Sequence, residues 1–113
     1  MKKVWIINPY GSLPSESWAT YRSTMLAEAL SSNGFKVRQF ISNFEHRSKT
    51  FRSEGYKEVL VNGNYSISIV PSKSYVKHMS IARIQYERTF AKNLLLTIKS
   101  MSYPDFIVLA EPS

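Results

Sequence analysis

Cysteine is absent from the 113-residue chain, which excludes disulfide stabilisation and thiolate metal sites and is compatible with a reducing compartment. Glycine is scarce, at four residues. No three of them carry the spacing of a dinucleotide fingerprint, and a phosphate loop closing in Gly-Lys-Ser/Thr is also missing, so the usual NAD and ATP sites are disfavoured. No apolar run approaches the roughly 18 to 20 residues that span a bilayer, which restricts any membrane contact to a peripheral one. Met1-Lys2-Lys3 and the apolar residues after it superficially read as a secretory leader. The run stops at Asn8-Pro9 with no small-residue cleavage site behind it, so a buried strand is the better reading. Acidic side chains are few, 8 against 15 Lys and Arg, for a net charge of +7. That balance favours an anionic partner. The densest basic stretch, from Lys36 through Arg38, Arg47, Lys49 and Arg52 to Lys57, lacks the aromatic interleaving that stacks bases, and nucleic acid is not expected to bind. Metal-ligand spacing and a nucleophile elbow are missing too, so neither a metal nor a cofactor is expected here.

What is present suffices for one small core: 43% of residues are hydrophobic, 13% aromatic and 20% charged, which argues against disorder. Val4 to Ile7 ends at Asn8-Pro9-Tyr10-Gly11 and reads as a strand running into a loop. From Trp18 to Asn33 the apolar residues Trp18, Tyr21, Met25, Leu26, Ala29 and Leu30 follow helical spacing, and Gly34 suits the left-handed position that ends a helix. Phe35 to Ile41 then reads as a second strand, parallel to the first across a right-handed crossover. Ser42 to Lys57 has no clean period and predicts a long polar loop, a length usually reserved for functional or mobile segments. Glu58 to Val61 and Tyr65 to Val70 flank Asn62-Gly63-Asn64, a hairpin signal. A helix is predicted from a Ser80 cap to about Ser100, burying Ile81, Ile84, Ala91, Leu94, Leu95 and Ile98. Arg83 and Glu87, one turn apart, support it. Phe106 to Ala110 reads as a central parallel strand covered on both faces, and Glu111-Pro112-Ser113 stands where such a domain would turn into its next helix. The fold class expected is therefore α/β.

Parallel sheets of this class bind ligands outside the carboxyl ends of their strands, which directs the search for chemistry to three places. In the first loop, Asn8, Gly11 and Ser15 offer polar groups before a helix N-terminus, and Arg22, one turn into that helix, would reinforce an anion held there; a simple helix cap is the competing reading. After the second strand, Asn43 and the triplet Glu45-His46-Arg47 place an imidazole beside a carboxylate and a guanidinium, against the alternative of a solvated polar loop. Glu111, at the end of the last apolar strand, is a carboxylate whose burial would raise its pKa and which a ligand hydroxyl would meet, or else it caps the next helix. His78 is assigned no role.

Val4-Trp5-Ile6-Ile7-Asn8-Pro9-Tyr10, the loop with Pro14, the helix with Arg22 and Leu26-Ala27-Glu28-Ala29-Leu30, and Asn33-Gly34-Phe35-Lys36-Val37 together resemble the amino-terminal domain of GT-B glycosyltransferases of family 4. Ser42 to Arg47 and Pro104-Asp105-Phe106-Ile107-Val108 are also similar, especially to the surface-polysaccharide, fucosaminyl-transferase-like branch. The order and spacing extend over nearly the whole chain. Ser15-Glu16-Ser17 stands where paired glycines are common, and Phe35 where His is usual. The resemblance implies a Rossmann-like three-layer domain with a mostly parallel sheet of order 3-2-1-4, an added hairpin strand and an incomplete carboxyl terminus. Residues 1–113 would be part of the acceptor-side half of a retaining transferase, inactive alone. The nucleotide-sugar donor would be held mainly by a second half, and the acceptor would be a glycan or lipid-linked molecule. In that frame His46 and Glu111 are the catalytic candidates, while Asn8, Gly11, Ser15, Arg22, Asn43 and Arg47 are the substrate-binding candidates. A cytoplasmic setting, contact with the inner membrane surface and homo-oligomerisation complete the expectation. The alternative is a stand-alone α/β module that binds a small anion or a partner protein through the same loop edge.

Overall fold

The computed structural model describes residues 1–11, 13, 22–45, 49–74 and 81–109, with Arg22 by its backbone alone. Five strands form one sheet: β1 (Lys3–Ile7), β2 (Lys36–Ser42), β5 (Lys57–Asn62), β6 (Tyr65–Val70) and β7 (Phe106–Leu109), in the order β5-β6-β2-β1-β7. β1, β2, β6 and β7 run parallel, and β5 joins β6 antiparallel through the Asn62–Asn64 turn. The fold is thus α/β with a mostly parallel sheet and a hairpin. No helix among the described residues is long and apolar enough to cross a membrane.

Two helices cover opposite faces. Val4 and Ile6, Val37 and Ile41, and Tyr65, Ile67 and Ile69 project to the face that receives Ala27 of α1 (Arg22–Ser32). Trp5, Phe40 and Val70 project to the other, against Phe90 and Leu94 of α2 (Ile81–Ile98). Adjacent residues of a strand point to opposite faces, so a run such as Phe40-Ile41, both fully buried, requires a cover on each side. Trp5 and Phe40 meet edge to face at 5.2 Å.

Several sequence expectations are corrected. The helix stripe through Met25, Leu26 and Ala29 is exposed, and α1 instead buries Ser23, Thr24, Ala27 and Ser31. These short side chains bring the helix close to the sheet, and Ser23 is hydrogen-bonded from both Asn8 and Gln39. The start expected at Trp18 lies outside the described residues. α1 ends as predicted at Gly34, whose φ is 88°. The Phe35 amide reaches the Leu30 carbonyl at 3.1 Å and the Gly34 amide reaches that of Ser31, a Schellman closure with Phe35 and Leu30 packed on the same cluster.

In α2 the side turned inward is Tyr86, Phe90 and Leu94, while Ile81, Ile84, Ala91 and Leu95 face outward and Ile98 is half-buried. Tyr86 packs with Tyr10 and Phe44, and Phe90 and Leu94 join Trp5 and Phe40, so these long-range partners rather than the helix's own pattern decide the rotation. The polar stretch after β2 is not a plain loop: β3 (Phe44–Glu45) pairs antiparallel with β4 (Thr50–Phe51). β7 is an edge strand rather than a central one, with Phe106, Ile107 and Leu109 all exposed.

Candidate functional site

The carboxyl ends of β1, β2 and β6 lie together and are tied by side chains. Asn8 continues β1, its amide bonded to the Phe40 carbonyl. Its side chain is buried, accepting from the Tyr10 amide at 3.0 Å and donating to Ser23 at 3.1 Å. Asn8 therefore folds the turn and joins it to α1. Behind it, Gln39 donates to Ser23 and accepts from the Tyr65 hydroxyl at 2.6 Å, so a polar chain threads this buried face with its groups satisfied.

Gly11 lies against β2 so closely that a Cβ would stand 2.7 Å from the Ile41 methyl and 3.0 Å from the Gln39 amide nitrogen. Only glycine permits that approach. Its carbonyl accepts from Arg52 at 3.1 Å, and the same guanidinium donates to the Ser42 carbonyl at 2.8 Å. Arg52 bridges the first loop and the end of β2 with the fork geometry peculiar to arginine.

Asn43 is a second junction. Its amide bonds to Val70, its side-chain nitrogen donates to the Ser53 carbonyl, and its side-chain oxygen accepts from the Ser72 amide at 2.9 Å. With Phe51, Arg52, Glu54 and Ser72 it lines an open cleft of about 570 Å³. That size lies within the 300 to 1,000 Å³ typical of small-molecule sites. A guanidinium, a carboxylate, amide and hydroxyl groups and an exposed aromatic ring share its wall.

Beside the cleft, Tyr10, Phe44 and Tyr86 form a buried cluster that fastens α2 to this edge, and the Tyr86 hydroxyl donates to the Pro9 carbonyl. The Tyr10 hydroxyl donates to Glu87 at 2.5 Å and accepts from Arg83 at 2.9 Å, with the guanidinium 4.9 Å from its ring. Burial foremost, then the Glu87 carboxylate, pushes the Tyr10 pKa well above its ordinary value. Tyr10 is thus a protonated, oriented phenol at neutral pH, and Arg83 and Glu87 carry opposite charges to the surface on either side of it.

Asn8, Gly11 and Asn43, expected from sequence, gather at this edge. Ser15, His46, Arg47 and Glu111 lie outside the described residues, and Arg22 opens α1. Arg52, Glu54 and the Tyr10–Arg83–Glu87 trio were not singled out from sequence as site residues. Arg52 belonged to a basic stretch and Arg83–Glu87 to a helical pair, and only the fold brings Tyr10 to that pair. Among the described residues no group of three or more metal-ligating side chains occurs.

No family model, no curated protein and no solved structure matches the chain.

Proposed function

We propose that this chain is the acceptor-side portion of a retaining glycosyltransferase that moves a sugar from a nucleotide-sugar to a glycan or lipid-linked acceptor. The observation that carries the proposal is the cleft at the carboxyl edge of a mostly parallel α/β sheet, where such sheets receive ligands. Donors and acceptors of both charge types beside the Phe51 ring suit a polyhydroxylated molecule, and Arg52 suits a phosphate attached to it. The Rossmann-like assignment is part of the proposal, with β1, β2, β6 and β7 taken as strands 1 to 4 of a 3-2-1-4 sheet; the order β5-β6-β2-β1-β7 supports it.

In this role Asn43 and Ser72 shape the floor of the acceptor site, Arg52 orients an anionic group, and Glu54 meets a hydroxyl. His46 and Glu111 remain the proposed catalytic groups, with Ser15, Arg22 and Arg47 on the substrate. Transfer itself needs a donor-holding half that closes over this one, because alignment and water exclusion arise between the halves.

An in-frame coding region after Ser113 that specifies a second Rossmann-like half is the expected finding. In that full-length polypeptide, Glu54→Gln and Arg47→Ala should each lower transfer by about tenfold or more, roughly 1.4 kcal/mol of transition-state stabilisation, with the fold intact by circular dichroism. A stop codon directly after Ser113, or unchanged transfer in both variants, overturns the proposal.

A further inference from the structure

At the opposite end of the sheet, the amino ends of β1 and β2 border a separate cavity of about 220 Å³. Lys3, Lys36, Arg38, Trp5, Ser66 and Ser102 line it. The strand register explains the grouping. Lys3 stands opposite Lys36, and Trp5 opposite Arg38, which in turn stands opposite Ser66. Residues two apart share a face, so all three cations project to the α2 side together with Trp5, whose ring packs with Phe40 and Leu94.

Like charges directly opposite on neighbouring strands, about 5 Å apart, destabilise a sheet. Among the described residues no carboxylate forms an ion pair with Lys3 or Lys36. Glu58, the acid nearest in register, is taken by Arg38, which also donates to Ser68. Asp105 accepts from the backbone amide of Lys3 at 2.8 Å and is not part of the lining. The carboxyl end of α2 approaches this region through the half-buried Met101, and a helix end carries about half a negative charge. Lys3, Lys36 and Arg38 still outnumber the two neighbouring carboxylates, Glu58 and Asp105, so the cavity remains positive.

We infer that this cavity binds a phosphate or diphosphate group, distinct from the cleft at the carboxyl edge. Its volume lies below the roughly 300 Å³ at which small-molecule sites usually begin, which favours a compact oxyanion over a whole nucleotide. The lysines supply point charges, and the Ser66 and Ser102 hydroxyls supply directional donors. The bound anion would relieve the Lys3–Lys36 repulsion, linking binding to stability. Nothing in this inference depends on the glycosyltransferase reading.

Trp5 in the wall provides the probe, once Trp18→Phe removes the other indole. Titration of that protein with inorganic diphosphate should change Trp5 emission saturably and raise the melting temperature, both effects weakening as salt is added. Lys3→Gln/Lys36→Gln should weaken binding by about tenfold or more, whereas Lys57→Gln, which removes one charge at the far end of β5, should not alter it. Phosphatidylcholine vesicles with and without phosphatidic acid separate the sources. A response to the acid-containing vesicles as well assigns a lipid headgroup, and a response to diphosphate alone assigns a free anion. No emission change, or equal binding by the double-lysine variant in a folded state, overturns the inference.

Discussion

β5 and β7 both border the sheet, yet they are built differently. β5 begins with Lys57 and Glu58, shifts register between Leu60 and Asn62, and is tied to β2 by the Glu58–Arg38 ion pair. β7 reads Phe106-Ile107-Val108-Leu109, in continuous register with β1 and without a charge. Charges and irregularities on an edge discourage another strand from pairing with it. β5 is therefore a guarded border. Among the described residues no strand pairs with the outer edge of β7, which exposes apolar side chains on both faces, the composition of a strand suited to further cover.

The largest effect that sharpens this contrast compares two phenylalanines. Phe40 on β2 is fully buried between Trp5 and α2, and Phe106 on β7 is half exposed beneath Lys2. Phe40→Ala should cost about 3 to 5 kcal/mol in urea unfolding, and Phe106→Ala less than about 1 kcal/mol. Similar losses would mean that β7 is as integrated as the centre, and the contrast would fail.

Next in size is self-association. At micromolar concentration the protein should sediment as dimers or larger species joined through β7. Ile107→Lys should weaken that association by about a hundredfold, roughly 2.7 kcal/mol. Leu60→Lys, at an even more exposed apolar position of β5, should leave it unchanged. A monomer throughout the range, or equal effects of the two lysines, would remove the distinction between the borders.

Much of the fold could be read from the chain because its signals are local. The apolar runs mark β1, β6 and β7, Asn62-Gly63 marks the hairpin, and Gly34 with Phe35 marks the end of α1. The place of a strand within the sheet is not local. Phe106 to Leu109 has the composition of a doubly covered strand, and only its neighbours reveal an edge. The rotation of α2 was hidden for a related reason, since Ile81, Ile84 and Leu95 offer a second apolar stripe and only the arrival of Tyr10 and Phe44 selects Tyr86. The same limit applies to the candidate site. Asn8, Gly11 and Asn43 follow strand ends and were legible, whereas Tyr10 meets Glu87 across 77 positions of sequence.

The smallest effect tests whether the guarded border shields what lies behind it. Tyr65 opens β6, registers with Asn62 of β5 and Val37 of β2, and is buried with its hydroxyl on Gln39. Burial, with a smaller contribution from Glu28, raises its pKa above the ordinary value of 10.0. Below pH 10 both the folded and unfolded phenols are protonated, and the stabilisation from the raised pKa is complete. Above pH 10 the unfolded chain loses a proton that the folded chain keeps, so stability falls as pH rises toward the folded-state value, by about 1.4 kcal/mol per pH unit. Tyr65→Phe has no proton to lose. At neutral pH it should be less stable than the parent by about 1 kcal/mol for the lost hydrogen bond, and the gap should narrow steadily above pH 10 in paired urea titrations. A gap independent of pH would show that the Tyr65 phenol titrates as in the unfolded chain. In that case β5 frays from β6 despite its charges and its ion pair, and the guarded border protects the sheet against foreign strands without protecting it against water.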